Sequence, residues 1–243
     1  MDIRFAFRSI SPSTWRLASS VSIILLAFLF LALTKGVLGV IVVCGVGMWL
    51  FLKCTPERRI VLFSFVLFLA TSIISVFVFP LTFSLFSFLI LSSLIFGLMD
   101  GSFARREECY LLFQTILLFV FFLVTHGLLF SFSLPSLIPF VWGGVVLGAV
   151  REFLLFYHIT YPMRVWACAG VAGLLVAENV WITVLLPLTP LFIVIEGVLI
   201  VVLLRDVVLA HFRGELTKIF FMRHVGTFLV FLFLLFAFIS WRI

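Results

Sequence analysis

LTFSLFSFLILSSLIFGLM, residues 81–99, runs for nineteen positions without an ionisable side chain. About 20 mostly apolar residues cross the hydrocarbon of a bilayer as a helix. The run shows none of the apolar–polar alternation of a barrel strand, so helix is the only spanning form open to it. Pro80 precedes it and Asp100 follows it, which marks both ends.

Eight further stretches read the same way: Leu17–Thr34, Gly36–Leu52, Ile60–Phe79, Tyr110–Phe130, Leu137–Tyr157, Val165–Leu186, Leu188–Leu204 and Val225–Trp241. The fold expected is all-α: a polytopic integral membrane helical bundle of about nine transmembrane helices. The alternative is eight, with Gly36–Leu52 or Leu188–Leu204 re-entrant. Residues 1–243 read as one transmembrane domain. Residues 1–16 form a cytoplasmic tail, and residues 205–224 an interfacial segment in which Leu209, Phe212, Leu216 and Ile219 recur at helical steps around Arg213, Glu215 and Lys218. Arg4, Arg8 and Arg16 before the first run resemble a signal peptide. No small-x-small cleavage site follows, so a retained first span is expected.

Composition agrees. Hydrophobic residues make up 65% of the 243 and charged residues 11%, against about 25% charged in soluble domains. The mean hydropathy is +1.41. Thirty-three Phe exceed what one water-facing domain of this length can hide. The net charge of +6 does not point to nucleic acid, because the basic residues recur in short clusters between apolar runs.

Those clusters orient the chain. The connections alternate between tight, nearly uncharged turns (Lys35-Gly36, Phe79-Pro80, residues 131–136, residues 187–190) and charged ones (residues 53–59, 100–108, 151–164, 205–224). Fourteen of the sixteen Lys and Arg fall in the N-terminal tail and the charged connections, leaving Lys35 and Arg242 on the other side. Positive residues stay cytoplasmic. The N-terminus is therefore expected inside and the C-terminus outside a plasma or inner membrane, with four hairpins closed by tight extracytoplasmic turns and one last helix.

Few residues carry chemistry. Glu178 and Asn179 lie in the seventh stretch and Glu196 in the eighth. Glu178 stands nine residues before Pro187 and Glu196 nine after it. A hairpin folded there puts both carboxylates about 13 Å from the turn, where they can share a proton, hold a cation or merely fix packing. Arg151 and Glu152 lie inside the sixth stretch, about 20 Å from its outer end, and Arg151 is a candidate partner for either glutamate. His126 is a candidate proton-relay member, set against a packing role. Gly144 and Gly148, and Gly97 and Gly101, form G-x-x-x-G spacings that suit close helix packing. The six Trp mostly fall near stretch ends, as interface anchors.

Cys44, Cys54, Cys109 and Cys168 form no C-x-x-C pair and have no His at ligand spacing, so no metal, cofactor or disulfide is expected. A Walker A loop, H-E-x-x-H, G-x-S-x-G, a dinucleotide fingerprint and an Asp-rich loop motif are all missing from the sequence. Three readings remain: an accessory or scaffold subunit of a membrane or envelope assembly, in contact with lipid and other membrane subunits; a transporter of a small solute, ion or lipid using Glu178 and Glu196; and a membrane-embedded enzyme acting on lipid.

Overall fold

The structure, a computed structural model, describes residues 12–53, 61–99, 106–159, 161–186 and 188–238. Among them are nine α-helices: α1 (Pro12–Thr34), α2 (Val37–Lys53), α3 (Leu62–Val78), α4 (Leu81–Met99), α5 (Arg106–Ser131), α6 (Ile138–Phe156), α7 (Pro162–Val184), α8 (Pro190–Arg213) and α9 (Lys218–Phe238), with a 3-10 turn at Pro135–Leu137 before α6. No strand occurs among the described residues. Each helix lies on one of the nine apolar stretches, and α4 has the same first and last residue as residues 81–99. Five helices (α1, α4, α5, α6 with its preceding turn, and α7) are long and apolar enough to cross a membrane; α2 and α3 are apolar but shorter. Gly101, the 54–60 connection, the tail to Ser11 and Arg242 lie outside the described residues.

Proline and backbone sterics set the boundaries. Pro162 and Pro190 open α7 and α8 at the first turn, where a missing N–H costs nothing. Gly214 closes α8 in the left-handed region, with φ of 72°, a conformation glycine adopts without strain. That cap divides the segment read as one interfacial helix: residues 205–213 continue α8 and residues 218–224 begin α9. The charge at Arg205 looked like the start of a loop, but helical hydrogen bonding carries on until the backbone reaches Gly214.

The helices gather into two compact units, Met1–Leu117 and Leu118–Ile243, which divide α5 between them. In the first, α1 packs on α2 and α4, and α3 on α4. Its core is aromatic. Phe28 stacks on Phe88 at 4.2 Å, Phe88 on Phe68 at 5.5 Å, and Phe51 on Phe65 at 4.5 Å. The Ser84 hydroxyl donates to the Ser75 carbonyl at 2.9 Å across the Phe79-Pro80 turn, tying α3 to α4.

In the second unit the most intimate pair is α6 with α7, followed by α7 with α8. The α6–α7 link is one of the charged connections, so the tightest packing joins two of the expected hairpins rather than forming one. Its cause is Gly143 against Gly173. A methyl at Gly143 would stand 2.8 Å from the Gly173 carbonyl oxygen, and one at Gly173 2.6 Å from that of Gly143. Only bare backbones fit there. Gly144, the first glycine of the expected G-x-x-x-G, is exposed and has open space around it. Gly148 is half-buried, and Gly97 is buried in α4.

Candidate polar layer in the second unit

Four helices bring polar side chains to one level of the second unit. Glu196 is six residues inside the start of α8 and Asn179 five before the end of α7. Thr125 and His126 lie six and five before the end of α5, and Trp142 four after the start of α6. At 1.5 Å per residue all five stand about 6–9 Å from the helix ends at the uncharged turns.

Two hydrogen bonds hold the layer. The Asn179 amide Nδ2 donates to Glu196 Oε1 at 3.2 Å, joining α7 to α8. The Trp142 indole Nε1 donates to Thr125 Oγ1 at 2.9 Å, joining α6 to α5. The Trp142 ring is wholly buried, lies flat on Phe122 at 4.0 Å, and presses against Gly197, where an added methyl would come within 3.0 Å of it. The Thr125 hydroxyl passes its own hydrogen to the Phe121 carbonyl at 2.8 Å.

Two atoms in the layer have no partner. Glu196 is 5% exposed and His126 3%, yet Glu196 Oε2 and His126 Nε2 are buried without a hydrogen bond. His126 stacks on Phe130 at 4.4 Å. Buried polar atoms are nearly always satisfied in folded proteins, so these two are the open hydrogen-bonding positions of the layer.

The other sequence candidates lie elsewhere. Glu178 shares the depth of Glu196 but not its side of the helix. One step along α7 turns the chain by about 100°, which aims Asn179 at Glu196 and leaves Glu178 exposed. Arg151 meets neither glutamate: its guanidinium lies over the Trp166 ring at 4.5 Å, near the opposite end of α6 and α7. Glu152 beside it is buried, 3% exposed.

Sequence reasoning missed two features. Arg205, read as a loop residue, is buried within α8, where its Nε meets Asp206 Oδ1 at 3.3 Å and its guanidinium lies over Phe153 at 5.4 Å. The signal available was the unbroken apolar spacing of Val207, Val208 and Ala210 beyond it. Trp142, read with the interface anchors, is a core residue; the polar Thr125 one helix away was its only cue.

Two cavities lie apart from the layer. One of about 280 Å³ between α8 and α9 is lined by Leu203, Asp206, Arg223, His224 and Phe228 among others. One of about 220 Å³ between α7 and α8 is lined by apolar side chains and Cys168. Among the described residues no group of three His, Cys, Asp or Glu converges at metal-binding distance. Comparison with known proteins yields no relative: no family model, no curated protein and no solved structure matches the chain.

Proposed function

We propose that the chain is a multi-pass integral membrane protein serving as a non-catalytic, scaffolding subunit of a membrane assembly. The observation that carries the membrane part is the outer surface of the helices. Leu26 and Leu33 on α1, Leu38 and Ile41 on α2, Leu174 and Ile182 on α7, and Val230 and Phe233 on α9 are all exposed. Exposed apolar surface on this scale is untenable in water and ordinary in lipid. Nine crossings, with the N-terminus cytoplasmic, put fourteen of the sixteen Lys and Arg on one face. The eight-span alternative makes Gly36–Leu52 or Leu188–Leu204 re-entrant; the helices on these stretches are α2, of 17 residues, and α8, of 24.

The scaffolding part is supported by how the buried polarity is used. Asn179 and Trp142 spend their donors on neighbouring helices, and neither cavity described above is lined by Glu196, Asn179 or His126. These contacts tie neighbouring helices together. The second reading, transport of a proton, ion or small solute, is favoured by the unpaired Glu196 Oε2 and His126 Nε2.

Isolation of the full chain from its native membranes in mild detergent separates the two. Scaffolding is supported if the chain leaves with other membrane proteins in fixed ratio and resists carbonate extraction. Recovery alone, with flux through reconstituted vesicles that Glu196→Gln abolishes, selects transport instead.

A further inference from the structure

Glu178 is the mid-helix acid that the described packing leaves uncovered: it is exposed on α7, and among the described residues it makes no hydrogen bond or ion pair. Val171, Leu174, Leu175, Trp181, Ile182 and Leu185 surround it, all exposed and apolar, at the three- and four-residue steps of one helix face. Trp181 meets Phe140 of α6 edge-on at 5.7 Å. Gly143 abuts Ala177, the residue before Glu178, so the open space at Gly144 lies at about the same level. The Phe140–Trp181 contact thus carries the face from α7 onto α6.

Glu178 lies six residues before Val184, about 9 Å from the helix end. Its stem is shorter than those with which Lys and Arg snorkel to the interface. In hydrocarbon such a group is turned towards protein, water or a counter-charge.

We propose that this face docks a transmembrane helix of another protein, and that the docked helix presents a lysine or arginine to Glu178. The proposal rests on the membrane reading above and names the surface and the partner's chemistry. Charge complementarity selects the occupant. A basic side chain both neutralises a carboxylate and fills its acceptor sites; a lipid tail does neither, and two-fold pairing of this face in a second copy brings carboxylate towards carboxylate.

The test uses the full chain, donor-labelled, in phosphatidylcholine vesicles with acceptor-labelled leucine-rich transmembrane peptides, read by energy transfer. One peptide carries a single lysine about 9 Å from its outer end; the other is leucine throughout. The lysine peptide is expected to bind the wild-type chain about tenfold more tightly than the leucine peptide. Glu178→Gln is expected to erase that preference, and Glu196→Gln to leave it intact. Equal binding of both peptides, or a preference that survives Glu178→Gln, overturns the proposal. So does energy transfer between two labelled copies of the chain that Glu178→Gln abolishes, since the occupant is then the chain itself. A chain that carbonate strips from the vesicles sinks the membrane reading instead, a result distinct from a retained chain that ignores the lysine.

Discussion

Gly143 and Gly173 bring α6 and α7 into backbone contact, each occupying the space in which the other would need to place a methyl group. Gly143→Ala or Gly173→Ala forces a carbonyl aside and is expected to cost about 1–3 kcal/mol, seen as a Tm lowered by several degrees in detergent. Gly144→Ala, where the space is open, is the matched control and is expected to leave Tm unchanged. Equal effects at the two neighbours would mean that α6 meets α7 by another face.

The indole of Trp142 is held by one hydrogen bond and one stacked ring. Trp142→Phe keeps the stack and removes the bond, so a loss of about 1 kcal/mol is expected. Thr125→Val should cost a similar amount, and the double variant little more than either alone, because both delete the same contact. Additive losses would show that Thr125 and Trp142 do not touch.

Asn179→Leu deprives Glu196 of its described hydrogen bond and leaves a second carboxyl oxygen unpaired. A destabilisation of about 1–3 kcal/mol is expected. Glu196→Gln preserves shape and can still accept from Asn179, so folding and growth should be unimpaired if the layer only positions helices. Glu178→Gln should fold equally well yet impair growth if assembly depends on the face that acid marks. The reverse pattern, with Glu196→Gln inactive and Glu178→Gln neutral, would favour the transport reading.

Topology is open to direct measurement. In a cysteine-free background, single cysteines at Lys35 and Ser133 should react with an impermeant maleimide added to whole cells. Cysteines at His158 and Glu215 should react only after permeabilisation. Mixed accessibility within either set would refute the span count or the orientation.

The helices were legible because an apolar run is bounded wherever a charge or a proline interrupts it, as Pro80 and Asp100 bound α4. The rule failed at Arg205. A lone cation inside a helix is indistinguishable from a loop residue until its cover is known, here Asp206 and the Phe153 ring. Depth was legible too, since counting from the Pro187 turn placed Glu178 and Glu196 level. Rotation was not: neighbours on a helix differ by about 100°, and hydropathy does not say which of Glu178 and Asn179 points inward when every position around them is apolar. Nor could spacing along one helix reveal that Gly143 finds its counterpart in Gly173, thirty residues away.

Four hydroxyls of the first unit turn back on the helices that bear them. Thr71 donates to the Leu67 carbonyl, Ser75 to that of Ser72, Ser87 to that of Ser84 and Ser92 to that of Leu89, each within its own helix. A hydroxyl satisfied by its own helix asks nothing of a neighbour. The phenyl rings between these helices therefore carry the mutual packing of this half, and the Ser84 hydroxyl on the Ser75 carbonyl is a polar clasp added where α3 turns into α4.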